Sequence, residues 1–232
     1  MVREVFLMLG WIICRDGGGV TLEEREVGGV GVLLLQIPRQ TGWRQRRRLR
    51  KMLGELARRG VRRVVVQGGE VPELAEFGIL PVDSFPLRRA MLPKLLRWVD
   101  REWRLDLAGA AVMLRSDVSD AAAWQAALSI SRQARYVHLD TGPGQARLEE
   151  RLRRTVGLGR GGAEPVLEIC LGRQSGGGRP ALHLGCGCGA RQRLTLWTPQ
   201  LPEGEESLLC ALFQAEKLQI EDIQIRFVEF RA

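Results

Sequence analysis

The chain has little lysine and little histidine, and no cysteine spacing of a disulfide framework. Of its 35 basic residues only Lys51, Lys94 and Lys217 are lysines, so arginine carries nearly all the positive charge. That skew accompanies the codon usage of a GC-rich, bacterial genome, and arginine content by itself therefore says little about partners. There are two histidines, His138 and His183, and both sit in strand-like runs. With so few imidazoles and no nucleophile setting, hydrolytic catalysis has little support. The five cysteines are odd in number and follow no disulfide framework, which fits a reducing cytoplasm. No apolar run reaches the roughly 18 residues a membrane span needs. The sequence contains no G-x-x-x-x-G-K-[ST], G-x-S-x-G or H-E-x-x-H pattern. Gly157-Leu158-Gly159 follows a helical segment rather than a strand, so it lacks the dinucleotide-binding context. Catalytic activity is undecided at this level.

What is present is an ordinary globular composition, 45% hydrophobic and 27% charged, in 232 residues. Disorder, collagen and coiled coil are excluded for most of the chain. The apolar run from Val5 to Cys14 lacks a small-x-small cleavage site. It reads as a buried strand entering a hairpin at Arg15 to Gly19 rather than as a leader.

Strand-like and helix-like segments then alternate. Val30–Ile37 is nearly continuous apolar, as a strand buried on both faces must be. An amphipathic helix follows, then a strand at Val61–Gln67, a short helix at Pro72–Phe77 and a short strand at Ile79–Val82. Pro93 breaks or kinks the next helical region. A strand at Ala108–Leu114, an alanine-rich helix to about Gln133, a strand at Arg135–Asp140 and a further helix complete this part. After Gly157 the texture becomes glycine-rich. The strand-like runs at 166–171, 181–184 and 193–197 lack intervening helices, which suggests an antiparallel meander. A helix over Glu205–Leu218 and a strand over Asp222–Phe230 end the chain. The expected fold is three-layer α/β, Rossmann-like, with a largely parallel sheet and a C-terminal α+β or antiparallel extension. The expected domains are 1–158, an α/β core with an N-terminal hairpin, and 159–232, the extension or a small subdomain.

The net charge of +8 is concentrated. Residues 41–63 hold ten basic residues and one acid, Glu55, while the remainder holds 25 basic and 26 acidic residues. Leu49, Met52, Leu53 and Leu56 mark one face of a helix over residues 42–59, and Arg44, Arg47, Lys51 and Arg58 cluster on the opposite face. Thr41 is the expected N-cap and Gly60 the residue past the end. This face is either a patch for nucleic acid or an acidic partner, or a solvated surface made arginine-rich by codon usage. Trp43 beside it is either a stacking platform or a packing anchor.

A second candidate comes from fold logic. Open parallel sheets bind ligands beyond the carboxyl ends of their strands. Gly68, Gly69, Ser84, Ser116, Asp140, Thr141 and Gly142 occupy such ends, where glycines allow close approach and helix amino termini offer N–H groups to an anion. The same residue types also serve as helix caps and tight turns. The leading functional expectation is binding of a small anionic ligand there. The alternatives are the basic helix acting on nucleic acid or an acidic partner, and a structural or assembly role without ligand. His183, Cys186 and Cys188 form H-x-x-C-x-C, a weak metal candidate, because Cys-x-Cys is short for chelation and a fourth ligand is unassigned. A structural glycine hairpin is the stronger reading of that stretch.

Overall fold

The computed structural model describes residues 9–39, 42–157, 163–172, 178–184, 193–199, 201 and 206–228. It is α/β, with a mixed sheet A of mostly parallel strands, a parallel sheet B and a small antiparallel sheet C. Contacts divide the chain into two compact units. Unit 1 comprises Met1–Asp83 and Thr195–Arg226; unit 2 comprises Ser84–Leu194 and Phe227–Ala232.

Unit 1 is built on sheet A. Its strands are β1 (Leu9–Arg15), β2 (Thr21–Val27), β3 (Val30–Pro38), β4 (Arg63–Gln67) and β5 (Leu80–Pro81), in the order β2-β3-β1-β4-β5. β1 pairs in parallel with both β3 and β4, and β4 with β5. The expected hairpin after β1 is therefore displaced by one strand. β2 turns back onto β3 through Gly28-Gly29, both at positive φ, in a two-residue turn that suits antiparallel strands. β1 is an interior strand because its apolar residues alternate onto both faces of the sheet. Ile12 and Cys14 join Leu33, Leu35, Ile37 and Val64 in one core with Leu49, Leu53 and Leu56 of helix α1 (Trp43–Arg58). Leu74, in a 3₁₀ helix at Pro72–Phe77, closes that core. Helix α6 (Glu206–Gln214) packs on β4, and its Leu212 lies against Gly28.

Unit 2 begins with α2 (Phe85–Ala90) and α3 (Leu92–Trp103), the break at Met91 falling just before Pro93 as expected. Then come β6 (Ala111–Ser116), α4 (Ala121–Ser131), β7 (Tyr136–Asp140), α5 (Gln145–Val156), β8 (Pro165–Leu171) and β9 (Ala181–His183). Sheet B runs β7-β6-β8-β9 and every pair is parallel. This corrects the expected meander: β8 and β9 run in the same direction. The alanines of α4 allow close approach to β6 and β7, and α3, α4 and α5 touch in succession. β10 (Arg193–Trp197) and β11 (Gln224–Val228), most of whose residues belong to unit 1, form sheet C.

In each large sheet the chain reverses direction across the sheet once. In sheet A it leaves β1 toward β3, then crosses through α1 to β4 on the other side of β1. In sheet B it leaves β6 toward β7, then crosses through α5 to β8 on the other side of β6. The two switch points lie between β1 and β4 and between β6 and β8.

Candidate functional site

Helix α1 forms because its apolar stripe has somewhere to go. Leu49, Leu53 and Leu56 are almost fully buried, each contributing about 1.5–3 kcal/mol. The N-cap is Gly42, whose N–H donates to Gln45 Oε1 at 3.0 Å. The expected cap Thr41 lies outside the described residues. At the far end Gly60 takes φ +85° and the Val61 N–H donates to the Leu56 carbonyl at 3.0 Å, the glycine stop read from the sequence.

The opposite face is exposed and positive. Arg58 pairs with Glu55 at 2.6 Å, and Arg50 with Glu76 at 2.8 Å. Arg59 binds both Glu55 and Glu24. Arg44, Arg46, Arg47, Arg48 and Lys51 are exposed and form no ion pair among the described residues. Glu55 is the one acid of the helix, and hydrogen bonding from Arg59, then the charge of Arg58, hold its carboxyl below the ordinary range. No acid sits in the first turn, so nothing offsets the positive end of the helix dipole. Trp43 is 70% exposed with the Arg44 guanidinium 5.7 Å from its ring centre. It is not a packing anchor. The other five tryptophans are buried or half-buried.

The strand-end residues divide between the units: Gly68 and Gly69 in unit 1, Ser84, Ser116, Asp140, Thr141 and Gly142 in unit 2. Gly68 has φ +81°, and a Cβ there would stand 2.8 Å from the Cys14 carbonyl oxygen. A Cβ on Gly69 would meet Cys14 Sγ at 3.1 Å. The close approach at this switch point is thus between two strands of the protein. Burial raises the Cys14 thiol pKa, with Arg39 opposing. Beside it Arg39 reaches Asp16 at 3.6 Å.

In unit 2 the loops after β6 and β7 lock together. Thr141 is buried, and its hydroxyl lies 2.7 Å from that of Ser119. The Ser119 hydroxyl is also placed to donate to the Thr141 carbonyl at 3.1 Å. A Cβ on Gly142 would stand 2.5 Å from the Asp117 carbonyl oxygen. Ser116 Oγ accepts from the Val118 N–H at 3.4 Å, and Ser84 precedes α2 without a side-chain cap bond.

Asp140 belongs to a different arrangement. The parallel register places His138, Asp140, Met113, Arg115, Glu168, Cys170, Ala181 and His183 on one face of sheet B. At the switch point Arg115 donates to Asp140 at 3.1 Å and to Glu168 at 3.3 Å. Its Nε faces the second Glu168 oxygen at 3.3 Å without hydrogen-bond angle, so that contact is Coulombic. Glu168 is 1% exposed, and Arg179 stands 3.8 Å away. Arg115 and Glu168 were not singled out in the sequence. The available signal was a carboxylate inside the apolar run VLEICL.

His183 is the cross-strand neighbour of Cys170, and its Nδ1 is buried without a hydrogen-bond partner among the described residues, as is Nε2 of His138. Burial, then the charge of Arg88, lower the His183 pKa, with Glu168 opposing. Two strands, β6 and β8, lie between the two histidines, so three inter-strand spacings set them at least about 14 Å apart at about 4.8 Å each. Among the described residues no three His, Cys, Asp or Glu side chains could hold a metal ion. Cys186 and Cys188 lie outside the described residues. No helix among the described residues is long and apolar enough to cross a membrane. Neither the scan against protein-family models nor the search of curated proteins finds a match for this chain.

Proposed function

We propose that the protein binds nucleic acid through the solvent face of α1. The observation that carries this is a helix whose exposed cations, Arg44, Arg47, Arg48 and Lys51, have no ion-pair partner among the described residues. Codon usage explains why these residues are arginine rather than lysine. It does not explain why four such cations gather on one face of a single helix. A row of exposed cations is stabilised by phosphates, and counter-ion release supplies the affinity. Small-ligand binding at the strand ends has less support, because Gly68, Gly69, Thr141 and Gly142 already meet other parts of the protein there. A cytoplasmic setting accords with the buried free thiol of Cys14.

The test is binding of labelled oligonucleotide, followed by fluorescence anisotropy from about 50 to about 200 mM salt. Four phosphate contacts give a slope of about −3 in log affinity against log salt, taking about −0.7 per contact on a single strand. Arg44/Arg47/Lys51→Glu abolishes binding while leaving the circular dichroism and melting temperature near wild type. Retention of affinity in that variant removes the proposal.

A further inference from the structure

We infer that the nucleic acid bound by α1 is single-stranded, and that Trp43 stacks on one of its bases. This rests on the reading of α1 above and specifies its partner. Trp43 is 70% exposed, whereas Trp11 and Trp124 are buried and Trp98, Trp103 and Trp197 half-buried. An indole left in water at the head of a cationic helix has a flat apolar face and, among the described residues, no ring or cation contact except the Arg44 guanidinium 5.7 Å from its centre. In a duplex the base faces are covered by their neighbours; a single strand can turn a base outward onto an aromatic ring.

The surrounding charges fit that pose. Arg44 next to the ring sets a cation beside a stacked base, where the adjoining phosphate lies. The first-turn amides of α1 face no acidic side chain, and Gln45 is committed to the Gly42 N–H. Arg47, Arg48 and Lys51 continue along the helix for about 10 Å from Arg44, at 1.5 Å per residue. Every base offers a π-face to an indole, so the contact at Trp43 is sequence-tolerant, as for other stacking platforms.

The experiment compares one labelled 12-nucleotide strand with its duplex, by anisotropy at fixed salt, for wild type, Trp43→Ala, Trp43→Phe and Arg44/Arg47/Lys51→Glu. Wild type binds the single strand more tightly. Trp43→Ala loses about tenfold or more on the single strand, as expected for one stacked base, and is unchanged on duplex and on heparin. Trp43→Phe keeps most of the single-strand affinity. Equal binding of strand and duplex, or a Trp43→Ala variant as tight as wild type on the single strand, overturns the inference. If the charge variant still loses both forms, nucleic-acid binding by α1 stands. If wild type binds neither form and is held only by polyglutamate, the face is for an acidic protein and both statements fall. Trp43 is 70% exposed, so Trp43→Ala folds, which an unchanged circular dichroism spectrum and melting temperature verify.

Discussion

Gly142 and Gly157 hold nearly the same backbone angle, φ +64° and φ +67°, yet they occupy different surroundings. At Gly157 a Cβ meets nothing within 4 Å; at Gly142 it meets the Asp117 carbonyl at 2.5 Å. Gly157→Ala is expected to cost about 1 kcal/mol from the left-handed angle alone. Gly142→Ala is expected to cost roughly 2–4 kcal/mol, because the loops after β6 and β7 must also separate. Urea denaturation of the two variants checks the ordering. Glu168 poses a different question of cost. Replacing it by leucine leaves Arg115 partly buried beside a lost partner, a loss of about 3–5 kcal/mol. Replacing Arg115 by methionine as well recovers part of that loss, and a double-mutant cycle reads the coupling. A cycle with no coupling shows that the 3.3 Å contacts carry no stability.

His183 supplies a pH dependence whose sign follows from its surroundings. Burial and Arg88 lower its pKa in the folded protein, below the ordinary 6.5. As pH falls through about 6.5 the unfolded chain takes up this proton first, so unfolding becomes more favourable. Stability is therefore unaffected by this group at pH 8 and declines as pH drops below about 6.5 toward the lowered value. His183→Gln flattens that portion of the curve, measured by urea midpoints across pH. A curve identical to wild type means that the imidazole environment does not differ between the two states.

At the scale of elements, α1 was almost wholly legible. Its apolar stripe, its glycine stop and its basic face all follow from a period of 3.6 residues, and the helix observed is Trp43–Arg58. Its start was not legible, because glycine caps only through its backbone. β2 was missed for a related reason. The sequence TLEEREV shows no alternation of apolar and polar residues, since this edge strand is exposed over most of its length. The Gly28-Gly29 pair was the remaining signal, and it marks the turn observed. The short strands β8 and β9 were placed correctly along the chain and wrongly in direction. Strand direction depends on which neighbour each strand finds, and β8 finds β6, some 50 residues earlier. Met52 illustrates the margin of periodicity: it lies at the edge of the stripe and is only partly buried, while Leu53 is fully buried. Leu53→Ala is expected to lose about 2–5 kcal/mol, and Met52→Ala clearly less, by the same denaturation assay.

At the scale of the molecule, sequence order and spatial grouping part company. α6 completes unit 1 although about 120 residues separate it from β5. Its Leu212 is buried and lies against Gly28, and Cys210 Sγ is 2.9 Å from the Asp83 carbonyl oxygen. Leu212→Ala is expected to destabilise unit 1 by about 2–5 kcal/mol. Amide exchange in β4 and in the β2–β3 turn then accelerates, read by mass spectrometry. Acceleration confined to sheet B would contradict the assignment of α6 to unit 1.

The sequence by itself determined the α/β class, the order of most elements, the break at Pro93 and the single basic helix. These depend on local periodicity and on backbone limits imposed by proline and glycine. Only the tertiary structure decided that the parallel strands form two sheets, that Thr141 and Gly142 face Ser119 and Asp117, and that Arg115 meets Asp140 and Glu168. Those facts depend on register between strands far apart in the chain, which no local pattern encodes. The exposure of Trp43 belongs with them. A tryptophan's hydrophobicity is the same wherever it stands, and only the lack of a surface packed over it among the described residues leaves its ring in water.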